Sequence, residues 1–376
     1  MKIAVNTRLL LKDKLEGIGW FTFESLKRIT QQHPEHEFIF IFDRPYSDDF
    51  IFSSNITPVV TGPQARHPIL YYIWFNYSIP KVLETHKVDL FLSPDGYIPL
   101  KSKVKSLAVF HDLNFEHYPK DLPSSERYYY RKYFPQFAKH ASRIATVSEY
   151  SKKDIMAQYG IDAEKIDVVY NGANEKFIPL SDNIKKLVVE KHTGGKPYFI
   201  FIGALNPRKN LVHLLKAFDE FKKADRLSCQ LLIVGEKMFK TNDIFETYEN
   251  MHFKADVVFS GRLNGIELHK ALASAIALTY VSYFEGFGIP IVEAFYTETP
   301  VITSNVTSMP EVAGDAALFV DPFSPEDIAK ALKKISTDPK VRADLIEKGN
   351  QRKKKFHWQN TADQLWKSIL KTVNQS

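Results

Sequence analysis

Cysteine is almost missing: one residue, Cys229, in 376. That excludes an intrachain disulfide framework and a cysteine-based zinc cluster. Cys229 lies just before the apolar run Leu231–Val234 and reads as a buried, inert thiol. No apolar stretch approaches the ~20 residues needed to span a bilayer. The first residues, MKIAVNTRLL, read as a short β-like run with no secretory signal behind it, so a reducing cytoplasm is the default compartment. There is no low-complexity tract, no tandem repeat and no aspartate-x-aspartate pair. The first strand is not followed by G-x-G-x-x-G, which argues against a nicotinamide dehydrogenase. Charge of one sign is scarce too. A formal balance of +6 suits an anionic substrate or an anionic membrane and does not point to nucleic acid.

What is present is a strand-then-helix alternation that runs twice over. With 44% apolar residues the chain can build two substantial cores. Strands are predicted at Lys2–Asn6, Glu37–Phe42, Val88–Ser93, Ser106–Phe110, Arg143–Val147 and Ile166–Tyr170. The pattern restarts at Tyr198–Ile202 and continues with Gln230–Val234, Val257–Ser260, Ile276–Val281 and Val301–Ser304. Such alternation implies an α/β protein with two doubly wound parallel sheets.

The most informative stretch is Phe284–Phe295, FEGFGIPIVEAF. It follows the apolar strand Ile276–Val281, so Glu285 to Gly288 form a loop at a strand's carboxyl end, where open α/β sheets bind ligands. Pro290 suits the first turn of the next helix, whose amides and dipole favour an anion. Gly286 and Gly288 allow backbone amides to approach a ligand closely. Glu285 and Glu293 would stand about 12 Å apart along a helix, too far for a paired acid/base or two-metal site. A nucleotide-diphosphate sugar fits the spacing. Glu293 would accept from ribose hydroxyls, Glu285 from hexose hydroxyls, and the amides from Gly286 through Phe287 to Gly288 would hold phosphate oxygens.

The Glu285 to Glu293 segment resembles the E-x7-E signature of retaining glycosyltransferases with the GT-B fold, in the large family four. The text SYFEGFGIPIVEAFYTETPVITSNVTSMPEVAGDAALFVDP extends the resemblance over some forty residues. The resemblance implies two Rossmann-like domains facing each other across a cleft. The expected division is an acceptor-side domain over 1–175, a nucleotide-sugar domain over 176–356, and a last segment, 357–376, that crosses back to the first domain.

In the first half, the loop ending in Gly17-Ile18-Gly19 is predicted to precede a helix over Trp20–Gln31. Gly17 and Gly19 correspond to residues that relatives place beside the donor phosphates, although Trp20 stands where many relatives carry arginine. His111-Asp112 ends a strand, and His111 resembles the histidine used against the donor sugar. Asp112 either orients the imidazole or caps the next turn. Glu126 to Arg143 interleaves five cations with aromatic residues. It suits contact with a membrane interface, and it equally suits an ordinary helix with its aromatics in the core. Ser148 and Ser151 read as helix caps, and Asn171-Gly172 as a turn.

In the second half, Gly203-Ala204-Leu205-Asn206-Pro207-Arg208-Lys209-Asn210 joins a strand to the helix Leu211–Phe221. Two cations at a helix start oppose its dipole unless an anion lies there. A diphosphate would supply the anion, with Arg208 bidentate and Lys209 a point charge. The resemblance gives Arg208 and Lys209 this role. After the strands Gln230–Val234 and Val257–Ser260 come Gly235-Glu236 and Gly261-Arg262-Leu263. By resemblance these loops receive the nucleotide base, which makes Arg262 and Leu263 candidates.

The sequence thus reads as a hexosyltransferase that works with retention, implied by the resemblance, and without a metal or other cofactor. His111, Arg208, Lys209 and Glu285 are the catalytic candidates. The phrase IGALNPRKNLVHLL is similar to mannosyltransferase-like members, which favours GDP-mannose, with a UDP-hexose as the alternative donor. The expected acceptor is a growing cell-surface polysaccharide or lipid-linked glycan, reached from the cytoplasm at the inner membrane face. The other readings are a sugar-nucleotide hydrolase or epimerase of the same fold, or a non-catalytic scaffold subunit of a glycan assembly complex.

Overall fold

Runs of aromatic and β-branched residues such as EFIFIF and YFIFI, with little polar alternation, become strands covered on both faces. The structure, a computed structural model, describes residues 1–12, 14–174, 176–225, 228–238 and 241–375. The chain divides into two units: Met1–Gly172 with Trp358–Ser376, and Ala173–His357. The boundary expected at Glu175 falls on a residue outside the described ones.

The first unit holds a seven-stranded parallel sheet. Its strands are β1 (Lys2–Asn6), β2 (Glu37–Phe42), β3 (Ile56–Val60), β4 (Leu90–Ser93), β5 (Lys105–Phe110), β6 (Arg143–Thr146) and β7 (Ile166–Val168). They lie in the order β3-β2-β1-β4-β5-β6-β7. The strand β3 escapes the sequence reading because Pro58 interrupts it, and it sits at the sheet edge, where a missing N–H is tolerated. Trp74, Phe75, Phe91, Tyr97, Phe110 and Phe137 fill the core on one face.

The first helix runs Gly17–Gln32, so the Gly17-Ile18-Gly19 stretch expected as loop is its opening turn. Its N-cap, Glu16, makes no side-chain cap bond, so the usual start signal is absent from the sequence. The segment Ser124–His140 is helical, and Tyr129, Phe134 and Phe137 point inward. For those rings the core reading holds. Ser148 caps the helix Glu149–Tyr159 by accepting from the Ser151 amide at 3.0 Å.

The helix Trp358–Asn374 belongs to this first unit. Trp366 stacks on His33 at 3.8 Å between ring centroids, and Thr361 donates to the Tyr170 carbonyl at 2.7 Å. Gly172 is required at this junction, since a Cβ there would run into the Trp358 backbone nitrogen and indole.

The second unit holds a six-stranded parallel sheet: β8 (Tyr198–Ile202), β9 (Gln230–Val234), β10 (Val257–Gly261), β11 (Leu278–Tyr280), β12 (Val301–Ser304) and β13 (Leu318–Val320). The order is β10-β9-β8-β11-β12-β13. Because β8 sits beside β11, the loops that leave these two strands emerge side by side. The helix Leu211–Asp225 packs on the sheet through Leu214, Leu215 and Phe218.

Candidate functional site

In the second unit the loop after β8 and the loop after β11 meet through charge. The turn Pro207–Lys209 is a single 3-10 turn whose start is capped by Asn206, which accepts from the Lys209 amide at 3.3 Å. From this turn Arg208 Nη1 donates to Glu285 Oε2 at 2.5 Å and to the Phe284 carbonyl at 2.8 Å. Lys209 Nζ donates to Glu285 Oε1 at 2.7 Å and to the Tyr280 hydroxyl at 2.7 Å. The three charged groups predicted to act together are therefore in direct contact.

Their arrangement differs from the expected division of labour, in which the cations held phosphate and Glu285 held the sugar. Glu285 is buried and accepts from both cations at once. Burial alone would raise its carboxyl. The Arg208 guanidinium and the Lys209 ammonium overcome that and hold it at about 2.

The loop itself is braced from β12. Ser308 Oγ donates to the carbonyls of Glu285 and Phe287 at 2.8 and 3.1 Å, and Thr307 Oγ1 accepts from the Glu285 amide at 3.3 Å. Gly288, with φ of 103°, is the N-cap of the helix Ile289–Tyr296, and a Cβ there would press on Ile291 and Tyr280. Glu293 lies in this helix, partly buried, with no side-chain partner among the described residues. Burial pushes its carboxyl up to about 7.

Asn210 fixes the cationic turn in place. It adopts φ of 60°, donates from Nδ2 to the carbonyls of Val281 and Pro322 at 2.9 and 2.6 Å, and accepts from His213 Nδ1 at 2.6 Å. Sequence reasoning passed over Asn210, Tyr280, Thr307 and Ser308. The first looks like an ordinary pre-helix residue, Tyr280 like a core strand residue, and the last two like loop polarity. Only the left-handed φ of Asn210 and Thr307 marks them, and that is invisible in a sequence.

The remaining candidates of this unit line the same rim. Gly203 N donates to the Val234 carbonyl and Gly235 N to the Gly261 carbonyl, both at 3.0 Å. A side chain at Gly235 would collide with the Gly203 carbonyl, so glycine lets these loops nest. Arg262 and Leu263 leave β10, at the other flank of the sheet, three places from β11.

In the first unit, His111 leaves β5. Its Nε2 lies 2.8 Å from the Pro94 carbonyl, so this nitrogen carries the proton and donates. Burial lowers the imidazole's affinity for a second proton, leaving a neutral ring with Nδ1 as an acceptor. Phe21 packs edge-on against it at 5.1 Å. Asp112 accepts from the Asn114 amide at 3.1 Å, so its observed role is to cap the turn, and Pro94 with Phe21 orients the ring. Gly17 has open space where a side chain would be, whereas a Cβ at Gly19 would press on the Leu9 carbonyl at 3.1 Å.

Two family models match the chain. Glycosyl transferases group 1 covers residues 182–352 and Glycosyltransferase Family 4 covers residues 17–177. The chain is 26% identical over 375 residues to an O-antigen chain mannosyltransferase B of Escherichia coli, covering 97% of this chain and 98% of that one. It is 29% identical over 307 residues to the O-antigen chain mannosyltransferase RfbU of Salmonella typhimurium, covering 81% and 80%. Among solved structures, Anabaena HepE in complex with UDP-glucose superposes with a TM-score of 0.78 at 16% identity, covering 99% and 100%. The two parallel-sheet units are those of the GT-B fold. The chain belongs to the family-four glycosyltransferases and is an enzyme of that class.

Proposed function

We propose that this glycosyltransferase moves a mannosyl group from GDP-mannose, with a UDP-hexose as the alternative donor, to a hydroxyl of a growing cell-surface polysaccharide or lipid-linked glycan. Transfer proceeds with retention and without a metal ion, in the cytoplasm. The convergence of Arg208, Lys209 and Glu285 on one rim carries the reading. The O-antigen mannosyltransferases it resembles support the choice of sugar and pathway.

The chemical demand is to accept a diphosphate whose charge grows as the glycosidic bond breaks. Arg208 and Lys209 supply two positive charges, and Glu285 balances one while the site is empty. A bound diphosphate shares the cations with Glu285. As its oxygens gain charge, the guanidinium and ammonium are already aimed, so little reorganisation is needed. Glu293, one helix turn beyond Gly288, offers a carboxylate to ribose hydroxyls. Neutral His111 offers Nδ1 as acceptor to a sugar hydroxyl. The segment Glu126 to Arg143 contacts the membrane that carries the acceptor.

The test is diphosphate release from a panel of nucleotide sugars, with and without a membrane lipid extract, followed by analysis of the product. GDP-mannose should be consumed only when acceptor is present, giving an α-linked mannoside. Free sugar released at full rate without acceptor, or inverted product, would overturn the proposal.

A further inference from the structure

The first unit buries an ion pair that the transfer reaction, as proposed, does not use. Arg8 follows β1 and Asp95 follows β4, and these two strands are neighbours in the sheet. Arg8 Nε donates to Asp95 Oδ2 at 2.6 Å, and the two side chains keep only 9% and 4% of their surface exposed. Burial alone would weaken the guanidinium's hold on its proton; the Asp95 carboxylate overcomes that and strengthens it. Arg8 Nη1 also donates to the Ala65 carbonyl at 3.3 Å, and the guanidinium lies over the rings of Tyr97 and Tyr71 at 4.8 and 5.2 Å. A buried ion pair loses to desolvation much of what it gains by attraction, so stability alone does not account for it.

Its use lies one residue away. Asp95 Oδ1 accepts from Asn6 Nδ2 at 2.7 Å and from Ser93 Oγ at 2.9 Å, so with Arg8 three side chains hold one carboxylate. Pro94, between Ser93 and Asp95, supplies the carbonyl that accepts from His111 Nε2 at 2.8 Å. The peptide plane bearing that carbonyl is fixed on one side by the proline ring and on the other by the anchored Asp95. Gly96 closes the turn with φ of 85°, and its amide donates to the Ser93 carbonyl at 3.2 Å. A Cβ on Gly96 would meet the Phe110 ring at 2.7 Å, so the turn lies directly on the last residue of β5. His111 comes next in the chain. The carboxyl ends of three adjacent strands, β1, β4 and β5, are thus linked in series through Arg8, Asp95, Pro94 and His111.

We infer that Arg8 and Asp95 are positioning residues for His111: their ion pair pins the 93–97 turn, so that the Pro94 carbonyl keeps the Nε2 proton and Nδ1 stays aimed as an acceptor. The consequence for transfer rests on the role of His111 proposed above. The positioning itself does not depend on that role.

The experiment is NMR of the full chain with isotope-labelled histidine, following exchange of the His111 Nε2 proton with water; its signal is assigned by its loss in His111→Asn. Removing Asp95 alone would strand a buried guanidinium, so both charges are removed together in Arg8→Met/Asp95→Ala. Methionine fills the space beside the tyrosine rings, and Asn6 and Ser93 keep their own bond at 3.2 Å. The proton should exchange about tenfold faster, as expected when one hydrogen bond loses its anchor. Turnover, kcat, should fall about 10- to 100-fold with little change in KM for the nucleotide sugar. Arg8→Lys keeps a cation for Asp95 but not the fork, and should exchange about threefold faster than the parent; it decides the matter if the double variant does not fold. Asp167→Ala breaks the Arg143 ion pair at the amino end of β6 and controls for lost stability, with exchange expected at the parental rate. Parental exchange in the folded Arg8 variants, or equal acceleration in Asp167→Ala, would overturn the inference. Faster exchange with parental turnover would support the positioning and count against the role of His111 in the proposed function alone.

Discussion

Arg208 and Glu285 are 77 residues apart in sequence, and 2.5 Å separates Nη1 of one from Oε2 of the other. Lys209 takes the second oxygen, so the cluster carries a net charge of +1 rather than the +2 that two adjacent cations suggest. Glu285 thereby sets where the cations point and how strongly they draw an anion. In Glu285→Gln the side-chain shape survives, but the charge is gone and one acceptor oxygen becomes an NH2 group that cannot accept from Arg208 or Lys209. A nucleoside diphosphate should then bind several-fold more tightly, because the competing anion is gone. Transfer should fall about 100-fold, because the cations lose the contact that aims them. Titration of the diphosphate and steady-state turnover on one preparation would check both, and near-parental turnover would remove Glu285 from the mechanism.

Glu293 predicts a pH dependence of opposite sign to that of an ion-paired acid. Its carboxyl rises from the ordinary 4.5 to about 7 on folding, since burial disfavours the charged form. Between those values the folded protein holds a proton that the unfolded chain releases. Stability should therefore fall as pH rises from about 4.5 to about 7, and this contribution should level off above. Glu293→Gln should flatten that part of the profile and be the more stable protein at about pH 8. If ribose hydroxyls donate to this carboxylate, nucleotide affinity should increase through about pH 7 in the parent and not in the variant. Calorimetric titration across that range would decide, and identical profiles would exclude Glu293 as the titrating group.

The cationic turn should be as sensitive to Asn210 as to its own side chains. Asn210→Ala removes bonds to Val281, Pro322 and His213 and places a Cβ residue with no local hydrogen bonds at φ of 60°. The loss should be about 3 kcal/mol, combining unpaired buried carbonyls with backbone strain. Asn210→Gly relieves the strain and should recover about 1 kcal/mol of it without restoring nucleotide affinity. Denaturant midpoints alongside diphosphate titration would separate the two contributions.

How much of this was readable beforehand depended on whether a residue's sequence position already conflicted with its chemistry. Arg208 and Lys209 oppose a helix dipole, and the glycines between Glu285 and Glu293 make little sense in a plain turn, so these residues pointed to an anion site. Tyr280 gave no such sign, because a tyrosine in a β-prone run reads as core; only the neighbouring strand order brings Lys209 to its hydroxyl. The first helix begins three residues before the predicted start, which the sequence does not signal because Glu16 provides no capping bond. The strand β3 went unread because Pro58 signals a break, and the sheet edge tolerates it. The aromatic run of Ser124–His140 allowed two orientations, and the choice was made by contacts with Tyr71 and Tyr72 from a distant helix.

The return of the last helix to the first unit gives a test at a position far from charge. Gly172 sits where the backbone approaches Trp358, leaving no volume for a methyl group. A Gly172→Ala chain must push Trp358 away, and that residue begins the helix whose Trp366 stacks on His33 and whose Lys371 pairs with Asp167 at 2.8 Å. Overpacking of this kind costs about 1–3 kcal/mol. Because the helix is terminal, the strain is relieved most cheaply by local undocking rather than by global unfolding. Limited proteolysis should therefore cut Gly172→Ala within Trp358–Asn374 at least tenfold faster than the parent, while the denaturation midpoint of the second unit stays put. Equal cleavage rates would mean that the helix can shift as a body to admit the methyl group, and that its docking does not depend on this contact.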